Sequence, residues 1–146
     1  IRLLALTAQN PEQDWEIRTA AKIGRDVAQL VTGPLTEPTA AQVLLTQLVE
    51  LRDEGLTRPL PLPTELSHTF ATGLRNSGPI RASAAAEREW HRARNDGAPP
   101  PERDGLEVVK IWGPNLAYST LRSEGFEALA SRLWDRALDH QRKAVL

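Results

Sequence analysis

Two carboxylates near the start of the chain, Asp14 and Glu16, with Lys22 at matching parity, come closest to a hydrolytic site. A metal-dependent nuclease needs carboxylates to hold a hard divalent cation and a lysine to orient the attacking water. If a strand began as early as Asp14, its period of two would place all three residues on one face. The set is incomplete, because no acid precedes Glu12 to supply a carboxylate from an earlier strand. The cluster therefore reads as a solvated strand face.

Other reactive groups are scattered. His68, His91 and His140 lie far apart, without the His-x-x-His or Glu-x-x-His spacing that holds a metal on one helix. Ser67 and His68 are adjacent, but neighbours on a helix point about 100° apart and cannot form a nucleophile–base pair. Cysteine is absent, which excludes a disulfide, a thiolate-held zinc, an iron–sulfur cluster and a thiol nucleophile within these residues. Gly24, Gly33 and Gly73 sit in no phosphate-loop pattern. No catalytic, metal or cofactor-binding residue is assigned, and no cofactor is expected.

One basic stripe stands out. On a helix expected from about Ile80 to Asn95, Arg81, Arg88 and Arg92 fall within roughly 40° of one another. Ala82, Ala86, Trp90 and Ala93 gather opposite them. Such a stripe could hold phosphates or an acidic partner. Glu87 and Glu89 are available for local pairing at about 0–1 kcal/mol per exposed pair. We read the stripe as a solvated face and Trp90 as a core anchor beneath small alanines.

The elements that carry these residues divide into strands, then helices. Ile1 to Ala8 is a short apolar run compatible with a buried strand. From Glu16 the pattern alternates, with Ile17, Thr19, Ala21 and Ile23 on one face and Glu16, Arg18 and Lys22 on the other. Gly24-Arg25-Asp26 turns into Val27 to Val31, which Gly33-Pro34 ends. A three-strand antiparallel meander over 1–33 is expected.

Thr36 or Thr39 can cap a helix that carries Leu44, Leu48 and Leu51 and stops at Gly55. Thr64 can cap the next, with Leu66, Phe70 and Leu74 four apart, and Ser77-Gly78-Pro79 breaks it. A last helix begins near Ser123 or Glu124, with Phe126, Leu129, Ala130, Leu133 and Trp134 on one broad side. Leu106 to Trp112 fits either a strand or a short helix. The predicted class is α+β: a short antiparallel sheet of about three strands, then a helical bundle. One domain over 1–146 is expected, with strands in 1–33 and helices in 36–146.

Composition narrows the function. The chain has 146 residues, 40% hydrophobic and 25% charged, which suits one compact domain and excludes a wholly disordered chain. No run approaches eighteen apolar residues, so no transmembrane helix is expected. Neither is a signal peptide, which favours the cytoplasm. With no Met and an apolar start at Ile1, a fragment of a longer protein is expected. The net charge of −1 argues against a domain that binds nucleic acid chiefly through its own field. Any DNA contact would be shared with partners. Arg dominates the basic side, with Lys22, Lys110 and Lys143 the only lysines. That bias fits bidentate pairing or a GC-rich genome.

The segment Leu48-Val49-Glu50-Leu51-Arg52-Asp53-Glu54-Gly55-Leu56, followed by Arg58-Pro59-Leu60-Pro61-Leu62-Pro63, resembles the C-terminal domain of RecC, the gamma subunit of the bacterial RecBCD helicase–nuclease, exodeoxyribonuclease V. Lys22-Ile23-Gly24-Arg25, Trp90 after its alanines, Trp112-Gly113 and Phe126-x-x-Leu129-Ala130-x-x-Leu133-Trp134 are similar to the family in matching order. Where the family often places a proline after the last aromatic, this chain continues Asp135-Arg136-Ala137, which extends its helix.

The resemblance implies a degenerate restriction-endonuclease-like domain of the PD-(D/E)xK type that has lost its active site. In that superfamily the Glu and Lys stand two residues apart, whereas Glu16-Ile17-Arg18 keeps the spacing with Arg in place of Lys. It also implies a non-catalytic scaffold role in double-strand-break repair, with RecB and RecD as partners and DNA met within the holoenzyme. Other classes remain open: a metal-dependent nuclease using Asp14 and Glu16, or a free-standing helical interaction module. Between the helices, Pro59, Pro61 and Pro63 preclude helix, so an extended strap is expected, with Leu60 and Leu62 inserted into the core beneath the sheet.

Overall fold

The computed structural model describes residues 1–23, 26–35, 38–93 and 100–145. These divide into two compact units, Ile1–Asp53 with Arg136–Leu146, and Glu54–Asp135. Among the described residues no helix is long and apolar enough to cross a membrane.

The first unit opens with a helix, not a strand: α1 spans Arg2–Gln9. The run is rich in Leu and Ala, which favour helix over strand. Its buried residues Leu3 and Thr7 lie four apart, the spacing of one helical face. Leu3 packs with Leu35, Ala41 and Leu44 in a small core flanked by Leu4, Ala8 and Trp15. Strands β1 (Ile17–Ile23) and β2 (Asp26–Thr32) pair antiparallel from Ile17↔Thr32 to Ile23↔Asp26, as the alternation predicts. The Gly24-Arg25 turn lies outside the described residues.

The third strand comes from the other end of the chain. Strand β3 (Gln141–Val145) pairs with β2 from Ala28↔Val145 to Thr32↔Gln141, giving the order β1-β2-β3. Two of the expected strands are therefore present, the first is a helix, and the third strand of the sheet is one the sequence reading did not foresee. Strands are not confined to 1–33, and 36–146 is not wholly helical. The buried face also differs from expectation. Ile17, Arg18 and Thr19 of β1 are all exposed, whereas Val31 of β2, opposite Arg18, is 3% exposed. Alternation fixes which residues share a face, but not which face meets a core.

Helix α2 spans Pro38–Thr57. Thr39 lies inside it, and Thr36 is outside the described residues. The helix runs through Gly55, whose φ is not positive, because a glycine within a helix costs only about 1 kcal/mol.

The second unit is built on α3 (Thr64–Ser77) and α4 (Pro79–Trp90). They are joined at Gly78, whose φ of 79° suits a residue without a Cβ. Next come a 3₁₀ turn (Glu102–Asp104) and helices α5 (Leu106–Trp112), α6 (Tyr118–Ser123) and α7 (Phe126–Asp139). Leu106–Trp112 is therefore helical, and α6 is an element the sequence reading did not separate. The core joins Leu66 and Phe70 of α3, Ala82, Ala86 and Trp90 of α4, and Tyr118, Leu121, Phe126 and Ala130. Phe126 meets the rings of Phe70 and Tyr118 edge-on at 5.7 and 5.9 Å, a geometry favoured by the ring quadrupoles.

The strap behaves differently from expectation in one respect. Pro61 is its fully buried residue, while Leu60 and Leu62 are half-buried. Leu62 packs on the helical core of its own unit, where the expectation had put it in the core of the sheet.

Thr64 does not cap α3. Position 63 is a proline with no side-chain acceptor, and a distant carboxylate takes that place. Glu102 accepts from the backbone N–H groups of Glu65 (3.2 Å) and Leu66 (3.0 Å). The next residue, Arg103, donates to the carbonyl of Trp90 (2.6 Å) at the C-terminus of α4. An anion at a helix N-terminus and a cation at a C-terminus both complement the helix dipole. Glu102→Ala should cost about 0.5–2 kcal/mol, read as a lower urea midpoint, with Glu102→Gln recovering part of the loss.

Candidate functional site

The acidic pair is not assembled on a strand. Asp14 and Glu16 both precede β1, which begins at Ile17, so strand parity does not place them together. Lys22 lies in β1, but its side chain is outside the described residues. The Glu16 carboxylate accepts from Arg18 Nη2 (3.1 Å) and Nε (3.3 Å). The residue standing where a nuclease would carry lysine thus closes onto the acid itself. Among the described residues no group of three or more His, Asp or Glu side chains gathers around a metal position.

Ser67 and His68 part company as their adjacency on α3 requires. The Ser67 hydroxyl is fully buried. It donates to the Thr64 carbonyl (2.9 Å) and accepts from the Trp134 indole (2.9 Å). His68 is exposed, with its ring edge-on to Trp134 at 4.9 Å. Ser67 is thus a tether between α3 and α7. His91 follows α4 and is exposed, and the carbonyl of His140 accepts the N–H of Gly33 (3.0 Å). The three histidines stay apart in role.

The arginine stripe divides. Arg92 lies beyond the end of α4 and pairs with Glu89 at 2.9 Å. Arg81 and Arg88 line an open cavity of about 560 Å³ with Ser77 and Glu87. Arg88 Nε also donates to the carbonyl of Ala84 (3.3 Å). On the opposite face Ala82, Ala86 and Trp90 are buried, and the Trp90 indole donates to the carbonyl of Leu116 (2.9 Å). Trp90 is a core anchor, as its setting in the sequence predicts, whereas Ala93 is exposed.

Burial pushes the Tyr118 phenol above its ordinary value of 10.0. Its oxygen lies 3.4 Å from Ser83 Oγ. A phenol held neutral in a core is a packing group with a hydrogen-bonding tip.

One surface escaped sequence reasoning altogether. The strap and α5 enclose an open groove of about 400 Å³, with Leu60, Ile111 and Trp112 among its apolar walls. Its strap wall, α5 wall and Pro100–Glu102 rim are separated in sequence, so no local pattern announces it.

The comparisons with known proteins agree with one another. A family model described as the RecC C-terminal domain matches residues 1–75. Proteins named RecBCD enzyme subunit RecC from two strains of Mycobacterium tuberculosis are each 31% identical over 151 residues, covering 92% of this chain. The protein of that name from Mycolicibacterium smegmatis is 32% identical over 141 residues, again covering 92%. The chain spans 13% of the length of these curated relatives. No solved structure matches it. Matched by the family model across α1 to α3 and aligned with RecC subunits over nearly its whole length, the chain belongs to the RecC C-terminal domain family.

Proposed function

We propose that this chain is a non-catalytic domain of a RecC subunit. It helps to hold RecB and RecD together and to guide DNA through the complex during double-strand-break processing in the cytoplasm. The observation that carries the reading is the alignment with RecC subunits over 92% of the chain. The Glu16–Arg18 ion pair supports it. An arginine cannot exchange protons at neutral pH, and here it occupies the carboxylate that a nuclease would offer to a metal. A degenerate restriction-endonuclease-like ancestry fits the same pair, which keeps the acid-x-base spacing without the lysine. Single domain behaviour over 1–146 is part of the proposal, with no cofactor and no catalytic residue of its own.

Two variants of the full subunit test this. Deleting residues 1–146 should abolish co-purification with RecB and RecD and end processive degradation of duplex DNA. Normal assembly and degradation by the deleted subunit would sink the proposal. Glu16→Ala should leave both unwinding and strand cleavage intact. A selective loss of cleavage with unwinding preserved would instead identify a metal-dependent nuclease using Asp14 and Glu16.

A further inference from the structure

The groove between the strap and α5 is apolar and open, and its described charged residues are acidic. Ile111 is 56% exposed on its α5 wall, a large apolar surface to leave in water. Helix α5 has no buried residue and is tied to the core through the half-buried Val108. Its wall therefore has unspent apolar area.

Among the described residues its charged lining groups are Glu102 and Glu107, and none is Lys or Arg. Both Glu102 oxygens accept from the α3 backbone, which leaves the exposed Glu107 carboxylate to face a partner. At about 100° per residue, Glu107, Val108, Ile111 and Trp112 fall within one arc of about 140° on α5, and Lys110 lies outside that arc. The groove is thus apolar, with one exposed carboxylate on its α5 wall. An apolar side chain flanked by Arg or Lys is complementary to this wall in both shape and charge.

We propose that this groove docks a short segment of a neighbouring protein subunit that presents one or two large apolar side chains beside basic residues. The inference rests on the scaffold reading and names the surface through which this part of the domain would act. The volume is of the size that ligand-binding clefts use, which suits a short peptide stretch rather than a whole helix face.

The test uses full RecC with purified RecB and RecD from the same organism, and measures the affinity of assembly. Ile111→Asp should weaken association with one of the two at least tenfold. Leu106→Asp is the matched control: it is 70% exposed on the same helix, does not line the groove, and should leave affinity within twofold. Glu107→Lys, on an exposed position that tolerates change, should weaken association by several-fold at low salt, with the deficit shrinking as salt rises. It decides the matter even if Ile111→Asp misfolds by circular dichroism.

Parental affinity in a folded Ile111→Asp together with Glu107→Lys overturns the groove proposal. If the deletion of 1–146 still abolishes assembly in the same assay, the scaffold reading stands without it. Loss of RecC self-association, or of oligonucleotide binding, with affinity for RecB and RecD intact would also overturn it.

Discussion

Trp90→Ala should destabilise the helical unit by about 3–5 kcal/mol, the range for emptying an aromatic core position. The side chain is 2% exposed and packs in the cluster formed by α3, α4, α6 and α7. Ala82 and Ala86, its small helical neighbours, have no atoms to refill the space, so the cavity would persist. The change also strips the carbonyl of Leu116 of its indole donor. A domain of this size has only about 5–15 kcal/mol of stability in total, so the loss is a large share of it. Urea unfolding of the 146-residue chain followed by far-UV circular dichroism gives the measurement, with Trp90→Phe as the companion. Phenylalanine keeps most of the volume and loses the hydrogen bond. It should fall between the parent and the alanine variant. A Trp90→Ala midpoint equal to the parent's would mean that the unit is not organised around this ring.

Where the sequence was readable, a local period carried the information. Leu66 and Phe70, four apart, are both in the helical core, and the Ala82, Ala86, Trp90 side of α4 is buried. The β1–β2 hairpin was legible for the same reason, through strict alternation ended by Gly33-Pro34. What failed was whatever depends on distant partners. An eight-residue apolar run such as Ile1 to Ala8 fits a strand or a helix equally by periodicity, and packing against Leu35, Ala41 and Leu44 decided for helix. The pairing of β3 with β2 joins residues more than a hundred positions apart, and no local pattern encodes that register. The cap on α3 comes from Glu102, so the helix start lacks the usual Ser, Thr, Asp or Asn signature at its own N-cap. The acidic pair was discounted from the sequence for lack of an upstream acid. That Arg18 would close onto Glu16 depends on geometry just before β1, and spacing alone does not show it. The groove was invisible because its walls come from three separate segments.

In the first unit, Gly33→Ala should cost about 2–6 kcal/mol, combining backbone strain with overpacking. Gly33 has φ +102°, a conformation L side chains rarely adopt, and a Cβ built there would lie 2.5 Å from the carbonyl oxygen of Trp15. That obstacle is backbone, so no rotamer change relieves it. Leu3 stands 3.3 Å away on another side, and Leu3 belongs to the small core of this unit. Moving Gly33 instead would disturb its N–H bond to His140, the link next to the end of the β2–β3 ladder. Gly78→Ala separates the two contributions. Its φ is +79° and ψ 171° with nothing within 4 Å of the added carbon, so it carries only the conformational penalty of about 1–3 kcal/mol. The expected result is a clearly lower thermal midpoint for Gly33→Ala than for Gly78→Ala, with faster amide exchange along β2 and β3 in the former alone. Equal midpoints, with β2 and β3 protected as in the parent, would show that Trp15 yields to the extra carbon and that the close approach does not constrain the sheet.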